Sequence, residues 1–301
     1  MSASTTDGHV EQLHIGVFTT SSVLDIARGS GLLERSGLSV SVTEVKGSGE
    51  QLAGLADGTF DLIQTSPDNI MRARIVDGLA TQVVFVLDSG LPQVLAGAPG
   101  ISSVADLRGG VVGVDDPDSG FAFVVYELLA AGGLSLDDVT VSSVGSSRAR
   151  LEALVDGSIG AGLLSASMVG GAVDRGVTVL ARASDSFPRY PGVAVAALES
   201  TARSRAAALS AFAEALTQSL AMANDPVTRS EAVAALAAAS GVSADAAAKV
   251  LDREAAARTA GPLTSAEAEM ALAEVAGLRR AHTGVDPVEY FDPSFMRGPG
   301  G

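Results

Sequence analysis

The sequence predicts an α/β protein of two lobes, each a mostly parallel sheet flanked by helices, with Ala-rich helices towards the C-terminus. Three observations predict it. First, a stretch occurs twice: residues 47–66 read GSGEQLAGLADGTFDLIQTS and residues 145–167 read GSSRARLEALVDGSIGAGLLSAS. Second, short apolar strands alternate with helix patterns between residues 13 and 198, the sign of parallel sheets with right-handed crossovers. Third, the chain from Ser204 to about Arg280 is alanine-rich and helical in pattern, and alanine is the best helix former.

The repeated stretch organises the rest. Each copy opens on Gly-Ser, runs through an amphipathic helix pattern, turns at Asp-Gly, enters an apolar strand and ends in small hydroxyl residues. The marks are Gly47, Leu52, Leu55, Asp57, Gly58, Leu62, Thr65 and Ser66 in the first copy. In the second they are Gly145, Leu151, Leu154, Asp156, Gly157, Leu163, Ser165 and Ser167. Two similar units imply two similar lobes. The glycines free the backbone to approach a ligand at a helix N-terminus. The hydroxyls follow a strand, at the carboxyl edge where open α/β sheets bind ligands.

Composition bounds the function. A chain of 301 residues, 47% hydrophobic, carries two modest domains with cores of their own. A net charge of -15 argues against nucleic acid and anionic lipid as partners, since both need a concentrated basic surface. The absence of cysteine excludes disulfides, thiolate metal sites and a cysteine nucleophile. The opening MSASTTDGHVEQ is polar, lacks the apolar core of a signal peptide, and reads as a disordered leader over residues 1–11. No apolar run is long enough for membrane insertion. The expectation is a cytoplasmic protein as given, with export after removal of a signal as the alternative.

The elements follow in order. LHIGVF, residues 13–18, is a buried strand. Thr19 to Ser22 sit where it gives way to a helix, and a Ser or Thr there makes a good N-cap. The helix carries Val23, Leu24, Ile26 and Ala27 inward, and Gly37 ends it. SVSVTEV, residues 39–45, is the second strand, with Lys46 at its carboxyl end. After the first repeat, Ser66 opens a helix with Pro67 at its first position. VVFVL, residues 83–87, is a strand, and DSGLPQVLAGAPG leads into the second lobe. ISSVADLRGG reads as a short helix ending at paired glycines, and VVGVD, residues 111–115, as a strand. A helix follows with Ser119 and Gly120 near its start and Gly132 near its end. VTVSSV (139–144), GVTVLARA (176–183) and PGVAVAAL (191–198) complete the strands. The tail is broken at Asp225-Pro226, Gly241 and Gly261-Pro262, and its few large side chains suit thin helices laid against the lobes.

This order of parts resembles the type 2 periplasmic-binding-protein fold, in the branch of aliphatic-sulfonate-binding and thiamine-pyrimidine-synthase-like proteins. The residues that carry the resemblance are GLLERSGLSVSV, GSGEQLAGLADGTFDL, GISSVADLRGGVVGV, LLAAGGLSLDDV and LEALVDGSIGAGL, over roughly residues 13–296. It implies lobe 1 from residues 12–88 plus 195–301, lobe 2 from 97–187, and crossings near 87–97 and 187–195. It implies a ligand in a cleft buried by hinge closure. One departure is Gly160, where the second copy usually carries an acidic residue matching Asp61.

Candidate ligand contacts are the polar residues at strand ends. In lobe 1 they are Thr19, Thr20, Ser21, Lys46, Gly47, Ser48, Thr65, Ser66 and Asn69. In lobe 2 they are Asp116, Ser119, Gly120, Gly145, Ser146, Ser165 and Ser167, with Tyr190 at the return crossing. Hydroxyls and backbone N–H groups at helix starts favour an anionic or strongly polar ligand; simple N-capping is the plain alternative for each one. Lys46 suits a carboxylate, sulfonate or phosphate, or a Schiff base if desolvated; a solvated strand-end lysine is its alternative. His9, His14 and His282 have no metal spacing. Asp115, Asp116 and Asp118 read as a solvated acidic turn or a cation loop. No metal and no cofactor are expected.

Two function classes stand. The first is a binding protein for a small polar or anionic organic molecule, with an ABC permease as partner if exported. The second is a cytoplasmic enzyme on the same fold, a lyase or synthase acting on a small aromatic or heterocyclic acid. Sulfinate cleavage in the resembled family relies on cysteine, and its pyrimidine synthase on a cysteine-rich motif and histidines. Neither set is here, so binding is preferred.

Overall fold

The structure is a computed structural model that describes residues 10–255 and 262–296, without the side chain of Ser167. The leader through His9, and Gly261 of the third predicted tail break, lie outside the described residues. The described chain divides into two compact units. One comprises the residues up to Asp88, Val193–Glu269 and those from Val288; the other is Ser89–Gly192 with Met270–Pro287.

The first unit opens with β1 (Glu11–Val17), which starts two residues before the predicted strand. Leu13, Ile15 and Val17 are buried along it. Next comes α1 (Ser22–Gly29), capped by Ser21, with Val23, Leu24, Ile26 and Ala27 buried as expected. The single predicted helix is two, because Gly31 takes a left-handed φ of 71° and α2 (Leu32–Arg35) restarts after it. Gly37, also left-handed, leads into β2 (Leu38–Glu44). Then follow α3 (Ser48–Ala56), β3 (Leu62–Thr65), α4 (Pro67–Val76) with its proline at the start, and β4 (Thr81–Val86).

The second unit carries β5 (Val94–Gly97), β6 (Val111–Val114), α5 (Gly120–Ala131) and β7 (Thr140–Ser143). It continues with α6 (Ser147–Val155), β8 (Ala161–Leu164), α7 (Ala166–Val173), β9 (Thr178–Arg182) and α8 (Ala183–Ser186). The chain returns to the first unit with β10 (Ala194–Leu198) and α9 (Glu199–Ser204). The tail helices are α10 (Ala206–Asn224), α11 (Arg229–Ser240), α12 (Ala244–Ala255) and α13 (Ser265–Thr283). ISSVADLRGG forms only a 3₁₀ turn, Val104–Leu107.

Each unit is one five-stranded sheet. The orders are β2-β1-β3-β10-β4 and β7-β6-β8-β5-β9. In the first, β1 runs parallel to β2 and β3, and β10 is antiparallel to both β3 and β4. In the second, β6 runs parallel to β7 and β8, and β5 is antiparallel to both β8 and β9. The sheets are therefore mostly parallel, with one reversed strand each. In both, the reversed strand is the first one the chain forms after arriving from the other unit. The prediction missed β5, a four-residue strand whose flanks Gly90, Pro92 and Pro99 read as loop.

Three of the tail helices, α10, α11 and α12, share a buried cluster with α1. Ile26 of α1 is buried in one cluster with Ala223, Ala232, Ala235, Leu236, Ala247 and Leu251. A Cβ on Gly29 would lie 2.1 Å from the Ala235 carbonyl oxygen, so the two backbones touch. Arg205 ties the tail to the sheet through ion pairs with Glu11 and Asp61, each at 2.7 Å. In the first unit this fixes the Asp61 side chain; at the equivalent Gly160 only the shared backbone bond remains, Gly160 N–H to the Val111 carbonyl at 2.7 Å as Asp61 N–H to that of His14 at 2.8 Å. Residues 290–292 cover β4, where Val83 N–H donates to the Tyr290 carbonyl at 2.7 Å. Among the described residues no single helix is long and apolar enough to cross a membrane.

Two glycines of α3 make opposite demands. A Cβ on Gly54 would meet the Phe60 ring at 2.5 Å, whereas one on Gly49 meets nothing within 4 Å. Gly54→Ala is expected to destabilise by about 1–3 kcal/mol through overpacking. Gly49→Ala is expected to stabilise by about 0.5 kcal/mol through the unfolded chain's lost freedom. Urea unfolding of the two variants beside the parent checks both signs.

Candidate functional site

The two copies of the repeat fold alike, residue for residue, at a constant offset. Phe60 N–H donates to the Gly54 carbonyl, and Ile159 N–H to that of Ala153. Val45 N–H bonds Val17, and Val144 N–H bonds Val114. Thr59 N–H bonds the Asp57 carboxylate and Ser158 N–H the Asp156 carboxylate, each at 2.9 Å. Gly58 and Gly157 follow with φ of 81° and 78°, the left-handed conformation that glycine adopts without strain. The hydroxyls of Thr59 and Ser158, with their N–H groups, hold both aspartates below their ordinary pKa of 3.8.

Aligned on these turns, the copies match differently from the sequence marks. Gly47, the extended N-cap of α3, is equivalent to Ser146, the N-cap of α6. Lys46 is equivalent to Gly145, and Ser66 to Ser165, the two residues that precede α4 and α7. Leu62 falls on Ala161 and not on Leu163. The helix and turn marks, Leu52 with Leu151 through Gly58 with Gly157, were in register; the opening glycines slipped by one residue, and the strand-end marks by one or two.

In the first unit the predicted hydroxyls form a bonded rim at the carboxyl ends of β1 and β3. Ser21 Oγ accepts from Leu24 N–H at 3.2 Å and donates to Gln64 Oε1 at 2.8 Å. Gln64 Nε2 donates to the Thr19 carbonyl at 3.2 Å. The exposed Thr19 hydroxyl bonds the Phe18 carbonyl, and Thr20 donates to the Asp25 carboxylate at 2.9 Å. Thr65, buried, accepts from Asn69 Nδ2 at 3.0 Å. Ser66 is half-buried and its hydroxyl does not cap α4. Lys46 is exposed; its backbone N–H meets the Glu50 carboxylate at 2.9 Å, and its ammonium makes no ion pair among the described residues. Ser48 is exposed at the start of α3.

In the second unit Ser119 caps α5, accepting from Ala122 N–H at 3.0 Å and donating to the Asp115 carboxylate at 2.6 Å. Gly120 is buried directly behind it. Asp116 accepts from Asp118 N–H at 2.9 Å, an Asx turn. No group of three His, Asp or Glu placed to hold a metal occurs among the described residues. Ser146 caps α6 through Ala149 N–H at 3.3 Å, and Ser165 precedes α7 at the end of β8. The side chain of Ser167 lies outside the described residues. Tyr190 is fully buried, edge-on to Phe187 with ring centres 6.1 Å apart.

Two buried side chains at these edges escaped sequence reasoning. Gln51 of α3 is fully buried, and its Nε2 donates to the carbonyls of Gly16 and Gln64, each at 2.9 Å. Its Oε1 has no hydrogen-bond partner. Arg150 of α6 is 5% exposed, and its Nε donates to the Leu163 carbonyl at 2.9 Å. Gln51 and Arg150 occupy the same place in the two copies, and Gln64 and Leu163 do likewise. Arg150 also bonds the Gly145 carbonyl, and Ser147 Oγ at 3.1 Å. Burial pushes the guanidinium below its ordinary pKa, partly opposed by the Asp115 carboxylate. A polar residue one position before the matched Leu52 and Leu151 in both copies was the available signal.

With this geometry in hand, the relatives can be compared. Residues 20–228 match the model of the family described as NMT1/THI5 like. The chain belongs to the NMT1/THI5-like family. A search of curated protein sequences finds no match. Among solved structures, a ligand-binding component of an ABC-type import system from Staphylococcus aureus, with zinc bound, is similar at a TM-score of 0.75 and 17% identity, over 95% of this chain and 98% of that one. The periplasmic aliphatic sulphonate binding protein of Escherichia coli is similar at 0.67 and 22%, over 96% and 92%. The desulfurization enzyme DSZB is similar at 0.68 and 15%, over 95% and 97%. At these identities the likeness establishes the fold, the two-lobed periplasmic-binding-protein type.

The lowered aspartates fix the acid limit of the repeat turns. Their stabilising contribution is complete above the ordinary pKa of 3.8 and is lost as pH falls through the lower folded value. The Asp57→Asn, Asp156→Asn double variant is expected to lose stability less steeply below that pH than the parent does. Thermal unfolding across an acid pH series reads the difference.

Proposed function

We propose that the protein is a solute-binding protein. It takes a small polar or anionic organic molecule at the carboxyl edges of its sheets and delivers it to a membrane permease of the ABC type. The observation that carries this reading is the doubled edge. In each copy a helix N-terminus, a strand-end hydroxyl and a buried polar side chain meet where open α/β sheets bind ligands. Ser21, Thr65, Ser66 and Asn69 are the proposed contacts of the first unit, and Ser119, Ser146 and Ser165 those of the second. The likeness in fold to a sulphonate-binding protein and to an import-system component supports the same class.

The hydroxyl rim suits binding more than bond-breaking. Its members are hydrogen-bonded to one another and to carbonyls, and no histidine lies among them to take a proton. Such a rim supplies preorganised donors and acceptors.

Native mass spectrometry of the purified protein, followed by incubation with any released molecule, tests the proposal. A small organic ligand that dissociates and rebinds unchanged is expected. Its conversion into a product would replace binding with catalysis on the same fold.

A further inference from the structure

Arg150 carries more charge than its structural task needs. Its equivalent in the first unit, Gln51, ties the helix to the strand-end carbonyl with a neutral amide. Arg150 makes the same tie to Leu163. A fold that performs this task with glutamine in one copy has no mechanical need of a cation in the other. Burying a cation is costly unless it is paired. Yet among the described residues Arg150 forms no ion pair within salt-bridge distance. Asp115, the carboxylate whose field reaches it, is itself engaged by the Ser119 hydroxyl.

The guanidinium also has donors to spare. Three of its N–H groups serve Leu163, Gly145 and Ser147, and a guanidinium has five in all. Those partners place it at the carboxyl edge, beside the loop after β7 and the end of β8. The N-termini of α6, capped by Ser146, and of α7, which follows Ser165, open at the same edge. Their partial positive charge adds to that of the guanidinium.

We propose that Arg150 is a ligand-binding residue and that the ligand is an organic acid, its carboxylate, sulfonate or phosphonate taking the two free guanidinium donors. The inference rests on the solute-binding reading and narrows its substrate class. The acid group supplies the counter-charge that the free protein lacks, in the planar two-point geometry that arginine offers an oxyanion. The exposed Lys46 does not perform this task.

The test uses NMR of the arginine Nε–Hε signals, with that of Arg150 assigned by its loss in Arg150→Gln. The intact protein is titrated with matched probes, butanesulfonate against butanesulfonamide and benzoate against benzamide. Arg150→Gln copies the residue of the first unit, so it is expected to fold, and its thermal unfolding confirms that before titration. The Arg150 signal is expected to shift saturably with the acids and not with the amides. Acid affinity is expected to fall at least about tenfold, 1.4 kcal/mol, in Arg150→Gln, to recover in part in Arg150→Lys, and to stay within about threefold in Lys46→Ala, as for an exposed charge. Acids that shift the strand-end backbone amides while leaving Arg150 unmoved, or amides that bind as tightly as acids, overturn the inference and leave solute binding intact. Probes that shift neither Arg150 nor any strand-end amide overturn the solute-binding reading as well.

Discussion

The tie between a helix and the carbonyl at the end of its following strand is the interaction on which the rest depends. Gln51 makes it to Gln64 and Arg150 makes it to Leu163, both at 2.9 Å. The carbonyl it bonds belongs to the next-to-last residue of the strand, Gln64 in β3 and Leu163 in β8. The tie draws the helix N-terminus to the strand end, so that caps, hydroxyls and backbone N–H groups converge there. Removing either side chain loses that bond, about 0.5–1.5 kcal/mol.

The duplication explains why the two edges are alike in frame and different in charge. The Asp-Gly turns, the aromatic or aliphatic plug at Phe60 and Ile159, and the helix and strand lengths are shared. A plug of that size needs glycine opposite it: a Cβ on Gly16 would lie 2.7 Å from Phe60, and one on Gly113 would lie 2.6 Å from Ile159. Frame positions are therefore fixed by packing, and edge positions are free to diverge. Lys46 against Gly145 and Gln51 against Arg150 are two of the divergences that change charge.

Most of the fold was legible because strands and helices left separate periodic signals. Leu13, Ile15 and Val17 mark a strand, and Ser21 marks a cap, without reference to anything distant. The break at Gly31 was missed although legible, since in a continued helix Leu32 would fall opposite Val23, Leu24, Ile26 and Ala27. Strand β5 was missed because four residues between glycine and proline carry no period, and only pairing on both sides makes Val94–Gly97 a strand. The site was half legible for a similar reason. Hydroxyls at strand ends are recognisable from local order alone. Gln51 and Arg150 sit on helices whose polar residues ordinarily face water, and nothing in the local pattern says that these two are buried. Their significance lies in a comparison between copies: the matched Leu52 and Leu151 already set Gln51 against Arg150, so the difference in charge was legible and the burial was not.

The central claim is that the carboxyl edge of the second unit holds the charged group of an organic acid. A crystal structure grown with butanesulfonate addresses it most directly, because the sulfur can be located by its anomalous scattering. The account predicts a sulfur peak at the carboxyl edge of the second sheet, with sulfonate oxygens in hydrogen-bond range of the Arg150 guanidinium. A fully occupied sulfonate seated elsewhere, with Arg150 still bonded only to Leu163, Gly145 and Ser147, would contradict it.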